Sequence, residues 1–538
     1  MLKRFICALT VIALGLSLWY VAYTTEDPDY TEISSGKDAS DPSGEESAQA
    51  QELSEDDDTL TLWYTDESLA DYLQSVALSY QQDTGIKVDI VLKDGVSYLE
   101  EINEASLAEG ADRKEAFPDL YITSHDTLLR AYLSGLASVV TDPDGVIVPS
   151  MFPETAINAV TCYDHPVAYP LYYETNFFLY NKTYMASIAQ NKIEADADIE
   201  MAEQATEELE ENGAPKEEAK EIETDGDAPD EIADGENADG TGESEEENPM
   251  GEEDMIADEA VLEKLATMIP STIEDIKTFA NNYNAPDAVE SVFKWDVTDI
   301  FYNYFFVGNY MEVGGDHGDN AAIFNIYNSQ AVECLKAYQQ LNQFFSIDPK
   351  VDSYSNILQD FIDGKMVFTV ATTDAIAKIH EARKNGDFDY EYGVCTLPDI
   401  SSLLKARGLS VTDAVAINGY SSKKADANLL ATYLVVNKAS DLYLKSGKVA
   451  CCKTVEYEDP EISNVMDEYK KSMPLPKMVE AANYWVQLEI AFTKVWNGSD
   501  PDETLKELSD TIGAQIEEIK ANLPTQESFS AGAGAFVK

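Results

Sequence analysis

Positive charge is what this chain lacks most. Its 538 residues hold 36 Lys and Arg against 101 Asp and Glu, a formal net charge of -65. Binding to a phosphate backbone depends on basic side chains displacing counterions, so a nucleic-acid partner is excluded. Histidine is also scarce. His125, His165, His317 and His380 fall in separate segments without metal-ligand spacing, which argues against a zinc enzyme and leaves only carboxylate-rich calcium sites open. The six cysteines make no disulfide framework: Cys7 lies in an apolar run, and Cys162, Cys334, Cys395, Cys451 and Cys452 are an odd set. Cys451 and Cys452 are too close in sequence for an ordinary bridge. No internal repeat is present, and neither a cofactor nor a resident metal is expected.

One apolar run, Phe5 to Tyr23 behind Lys3 and Arg4, is about long enough to span a bilayer, and the acidic chain after it fits an external location. Trp19-Tyr20-Val21-Ala22-Tyr23 offers no small-x-small cleavage site, and no cysteine follows to take a lipid. Residues 1–25 therefore read as an uncleaved signal anchor, and 26–58, made of Ser, Asp, Glu, Gly and Pro, as an acidic disordered tether. A second acidic stretch, 190–258, reads as a disordered insertion with a helical tendency near Glu203 to Glu223; its Asp225-Gly226-Asp227 lacks the spacing of a calcium loop. Residues 526–538 read as a tail.

The remainder is globular in character, 44% hydrophobic and 10% aromatic over the whole chain, with length enough for two or more cores. Thr59 to Tyr64 reads as a strand. Leu69, Tyr72, Leu73, Val76 and Tyr80 follow at helical spacing until Thr84-Gly85, and Ile86, Val88 and Ile90 then alternate as a second strand. That βαβ order predicts a parallel sheet with helices on its faces. A helix over Tyr98 to Ala108, the Pro118-Asp119 entry and the strand Leu120 to Thr123 extend it. Ser271 or Thr272 can cap a later helix; Phe361 to Val370 reads as helix end, turn and strand, and Tyr392 to Pro398 as a strand closed by proline. The most telling stretch is Tyr169 to Lys182, which sets Glu174 inside an apolar and aromatic run. A carboxylate there is costly unless something uses it, either a Lys or Arg elsewhere in the core or a ligand.

Taken in order, these segments resemble the extracellular solute-binding proteins of ABC importers, in the maltose-binding-protein-like, carbohydrate-type group. Thr84-Gly85-Ile86-Lys87-Val88 is similar to that family's first helix-to-strand junction. Phe117-Pro118-Asp119-Leu120-Tyr121 with Ser134-Gly135-Leu136 resembles its Pro-Asp strand and following helix, and Tyr169 to Lys182 its strand crossing between lobes. Phe361 to Thr369, Tyr392 to Pro398, Val415-Ala416-Ile417-Asn418 and Trp485 through Asn497-Gly498 to Leu505 continue in family order. The resemblance implies an α/β, periplasmic-binding-protein-like fold with two discontinuous lobes, 59–172 plus 399–449 and 173–398 plus 450–525. Three hinge crossings are implied near Leu171 to Glu174, near Pro398 and near Ala450 to Lys453. It further implies a non-enzymatic subunit at the extracytoplasmic face of the cell membrane, capturing a sugar or short oligosaccharide and handing it to an ABC permease.

Candidate ligand residues follow from position and from the resemblance. Asp66 and Glu67 sit on the loop after the first strand, and His125 and Asp126 on the loop after the Leu120 strand, where open α/β sheets bind ligands. The resemblance implies that an acid in each loop meets sugar hydroxyls, that Glu174 is the hinge-strand carboxylate and that Trp485 is a stacking aromatic. It places Trp295 and Tyr302 among second-lobe contacts, although an aromatic run is also what a core contains. Asp66 equally suits a helix N-terminus. Thr123 and Asp374 stand where maltodextrin binders carry tryptophans, so a long glucan platform is not reproduced, and a shorter sugar or a donor-rich ligand fits better. Asp374 also suits a cationic group or a helix cap. Two other readings stand beside this one: a ligand sensor or surface-interaction protein on the same fold, and a glycoside hydrolase pairing Glu174 with Asp126 or Asp374.

Overall fold

The computed structural model describes residues 59–108, 117–211, 256–481 and 483–522. The expected anchor, tether and tail, and most of the acidic insertion, lie outside them. Ten strands form one mixed sheet: β1 (Thr59–Tyr64), β2 (Lys87–Leu92), β3 (Leu120–Ser124), β4 (Ala168–Asn181), β5 (Ser291–Lys294), β6 (Met366–Thr372), β7 (Tyr392–Cys395), β8 (Leu409–Ile417), β9 (Val449–Ala450) and β10 (Met473–Pro474). The order is β2-β1-β3-β8-β4-β6-β5, with β7 and β9 also on β4 and β10 on β8. The βαβ start is as expected: helix α1 (Ala70–Thr84) connects parallel β1 and β2 and ends at Gly85, whose φ of 83° is left-handed and needs no Cβ. Helix α2 (Tyr98–Leu107) precedes β3.

Strand β4 is the spine. It runs for fourteen residues, and its first half pairs with β8 from Ala168 to Thr175 while its second half pairs with β6 from Asn176 to Tyr180. The change of partner falls at Thr175/Asn176, just beyond the crossing expected at Leu171 to Glu174. Alternation along β4 sends Tyr169, Leu171, Tyr173, Phe177 and Leu179 into one apolar cluster and Ala168, Phe178 and Tyr180 into the other. Both clusters run from one half of the sheet to the other, so apolar burial, about 2 to 3 kcal/mol for each large side chain, ties the halves together on both faces.

The insertion departs from expectation at its start. Residues 190–211 are not disordered but continue helix α3 (Lys182–Glu211). The Ala and Glu content favours a helix, and helix α4 (Glu259–Met268) packs beside it: Val261 and Leu265 share an apolar cluster with Ala186 and Ala189, and Lys264 pairs with Asp196 at 2.7 Å. Helix α5 (Ile273–Asn282) begins with a capping box between Thr272 and Asp275, one of the two caps expected. The remaining helices that matter below are α6 (Asp374–Asn385), α7 (Ala439–Ser446), α8 (Pro460–Lys471) and α9 (Tyr484–Trp496).

Helix α8 closes the crossings from behind. Glu468 is 1% exposed; its Oε2 accepts the Leu397 N–H at 2.9 Å, and Lys471 stands 3.3 Å away. Its Oε1 and the Oδ1 of Asn176 are both buried and make no well-formed hydrogen bond among the described residues. Both lie against Gly408, where a Cβ would stand 2.3 Å from Asn176 Oδ1. Burial holds the Glu468 carboxyl above the usual range, with Lys471 and the N–H groups of Leu397 and, in poorer geometry, Gly408 acting the other way. A carboxyl raised in the folded state contributes its stability fully below the unfolded pKa and loses it as pH climbs through the folded one. Glu468→Gln keeps the acceptor for Leu397 and supplies an N–H for Asn176. Its melting temperature, followed from acid to neutral pH beside the wild type, is expected to fall less; identical slopes would show that Glu468 does not titrate in the fold.

Candidate functional site

The loop after β1 is folded on itself by Asp66, which accepts the Ser68 N–H at 3.0 Å and its hydroxyl at 2.7 Å. Its other oxygen meets Lys448 Nζ at 2.9 Å. Lys448 also reaches Glu174 Oε1 at 3.4 Å and lies 5.1 Å from the centre of the Tyr172 ring, whose hydroxyl donates weakly to Asp66 at 3.5 Å. One ammonium thus joins the β1 loop, β4 and the entry to β9. Burial acts against the charges, but the Lys448 and Ser68 bonds hold Asp66 below the usual carboxylate range, and Asp66 and Glu174 hold Lys448 above the usual lysine range. Glu174 therefore has the cationic partner that its apolar surroundings demanded, and it is half-exposed rather than buried.

Sequence reasoning missed both Lys448 and Asp413. Lys448 abuts the Val449-Ala450 strand, one of the expected crossings, which is the signal that could have pointed to it. Asp413 lies in β8 directly across from Tyr172. Its carboxyl is pushed up to about 7, first by burial and then by Glu174, with Asp126 and Asp66 adding and Lys448 opposing. Asp66, Asp126 and Glu174 thus all act on Asp413, and the Lys448 ammonium works against them. Glu67 is exposed beside them.

His125 is corrected from a ligand contact to a structural residue. It is 0% exposed, its Nδ1 accepts the Thr412 N–H at 3.0 Å, and its Nε2 therefore donates to the Leu475 carbonyl at 3.0 Å. Burial, reinforced by Lys477, lowers it to about 4, so the ring is neutral and both nitrogens are spent on backbone. Thr123 is likewise turned inward, 2.9 Å from Thr127 Oγ1.

On the other half of the sheet, Asp374 opens α6 and takes bonds from Tyr354 Oη at 2.6 Å, from Thr372 and from Lys378 at 2.5 Å. Burial acts upward on it, but these donors keep it below the usual carboxylate range. Tyr354, not anticipated, stacks on Tyr302 with centroids 4.8 Å apart at 27°, leaving Tyr302 buried at the edge of this group. Trp485 is half-buried on α9 against Tyr304 and Tyr484. Trp295 is corrected to a core residue: it is 0% exposed, donates to Asn303 Oδ1 at 2.9 Å, and is surrounded by Phe293, Phe345 and Trp496. The two groups approach each other where Gly447, next to Lys448, meets α6; a Cβ there would sit 3.2 Å from Ala377 Cβ, and φ is 71°. A side chain at that contact would be strained.

Similarity to known proteins was decided by structure. No protein-family profile matches the chain, and no curated protein does. Solved structures match over most of it. An extracellular solute-binding protein from Staphylococcus aureus in complex with maltose has a TM-score of 0.61 at 18% identity, covering 86% of this chain and 98% of that one. The chain has the two-lobed fold of these binding proteins. A cyclo/maltodextrin-binding protein complexed with maltotetraose gives 0.60 at 17% identity over 85% and 97%, and a maltose-binding periplasmic protein from Listeria monocytogenes in complex with maltose gives 0.59 at 18% over 86% and 99%. In a two-lobed binding-protein fold the Lys448 and Asp374 groups stand on opposite halves of the sheet, on either side of the shared strand. Among the described residues no helix is long and apolar enough to cross a membrane, and no group of His, Cys, Asp or Glu is arranged to hold a metal ion.

The acidic group makes a checkable expectation. In a carbon-13 titration the Asp413 carboxyl should show an inflection near 7, and Lys448→Met should move it upward by removing an opposing charge. An unmoved midpoint would separate Lys448 from the Asp413 field.

Proposed function

We propose that the chain is an extracytoplasmic solute-binding subunit of an ABC importer that closes two lobes, 59–172 plus 399–449 and 173–398 plus 450–525, over a small solute. It performs no chemistry, and it hands the solute to a membrane permease while held at the cell surface by the apolar segment ending at Tyr23. The observation that carries the reading is that one strand, β4, is the seam between two half-sheets, and polar and aromatic side chains gather on both sides of it. Such a seam supports hinge closure, in which a ligand touching both halves stabilises the closed form.

The class of solute follows from the same residues. Asp66, Asp126, Glu174 and Asp374 offer carboxylates for hydroxyl groups, and Tyr302, Tyr354 and Trp485 offer ring faces or edges, the combination that sugars require. With Thr123 and Asp374 in place of a stacking platform, a mono- or short oligosaccharide is the fitting size. Thermal-shift screening against mono- and oligosaccharides, sugar phosphates, amino acids and polyamines tests this, because a ligand specific to the folded state raises its melting point. A saturable shift with one sugar class is expected. Glu174→Gln and Trp485→Ala should each weaken it roughly tenfold, the scale of a lost charged hydrogen bond or ring contact. Sustained release of reducing ends from an oligosaccharide would instead sink the binding-protein reading in favour of a hydrolase.

A further inference from the structure

A cavity of about 730 Å³ lies away from all the residues discussed above as sugar contacts. Its walls are the end of α6 with His380 and Arg383, the strand β7 with Tyr392, the helix α7 with Tyr443, and the segment from Glu456 to Ile462. The volume is that of a small-molecule site. Helix α7 belongs to the proposed first lobe and α6 to the second, and the two are bridged here by Tyr443 Oη and His380 Nδ1, 3.2 Å apart.

Two features of this cavity bear on what it would hold. Tyr443 and Tyr457 meet edge to face, with centroids 5.7 Å apart at 82°, which makes an aromatic wall. The charges do not balance. Asp459 is occupied by His380 at 2.8 Å and by Tyr392, Arg383 is paired with Glu391 at 3.0 Å, and Lys182 acts on Glu461. Asp441, Glu456 and Glu458 also line the space, and no ion pair or side-chain hydrogen bond engages their carboxylates among the described residues. A concave, tyrosine-walled space with three uncompensated carboxylates concentrates cations, and ring faces favour those that shed water easily.

We propose that this cavity is a second binding site, for a small organic ammonium ion, separate from the solute cleft. The ammonium head sits against the tyrosine wall, and Glu456, Glu458 and Asp441 supply its counter-charge. Inorganic cations, more strongly hydrated, gain less from the rings.

Calorimetric titration of the purified full chain at physiological salt, with choline and with putrescine as probes and magnesium chloride as control, tests the assignment. Saturable binding of one ammonium probe at one site is expected, with no competition from an equal concentration of magnesium. The double substitution Glu456→Gln/Glu458→Gln, at exposed positions that leave the fold intact, should weaken it roughly tenfold. Tyr443→Leu should do the same while Tyr443→Phe, which keeps the ring, should not, and Asp413→Asn in the acidic cleft group should leave the affinity unchanged. Absence of saturable heat, equal binding of magnesium, or loss in Asp413→Asn with the cavity variants unaffected would each overturn the proposal. The last of these would assign the cation to the cleft and count against a sugar there, whereas the first two leave the sugar reading untouched.

Discussion

Everything in this molecule depends on β4 having two sets of partners. A strand interior must give every backbone N–H and C=O a partner, and β4 meets that demand by bonding to β8 up to Thr175 and to β6 and β7 beyond it. The hand-over is where two half-sheets become one. The neighbourhood of Asn176 is accordingly unusual: a buried amide oxygen and a buried carboxyl oxygen that make no well-formed hydrogen bond among the described residues, set against a glycine that admits both. Ordinary cores leave few such groups unpaired, and here they lie at the seam, where the Glu468 carboxyl is held above its usual range by burial.

The shortage of basic residues shapes the rest. In a chain of such negative charge three cations have specific places. Lys477 is 2% exposed, gives its protons to the carbonyls of Asn158 and Ala159, and is lowered to about 8 by burial. Arg407 ties the second crossing to the end of α8 through the Lys471 carbonyl. Lys448 holds the β1 loop to β4 and opposes the burial and neighbouring carboxylates that push the Asp413 carboxyl up to about 7. These are not surface salt bridges of small net worth; they position backbone segments distant in sequence.

The fold shared with maltose and maltodextrin binders fixes the frame in which these groups sit, but at 17–18% identity it says nothing by itself about their ligand. The functional reading therefore rests on the side chains: carboxylates and rings on both sides of the seam, and a differently composed, tyrosine-walled cavity elsewhere between the same elements.

Local periodicity in the sequence determined the elements. The strand at Thr59 to Tyr64, the helix stopped at Gly85, the Thr272 cap, the turn at Gly364 and the strand after it are all set by alternation, capping chemistry and glycine, which act over a few residues. The need of Glu174 for a polar partner, a cation or a ligand, was equally legible, because the cost of an apolar neighbourhood is local. The identity of that partner was not: Lys448 is 274 residues away and arrives only through the packing of α7 and β9. The same holds for His125 and Trp295, whose residue types suit a ligand as well as a core. Only the tertiary structure, by burying them completely and spending their polar atoms on Thr412, Leu475 and Asn303, decided that they hold the protein together.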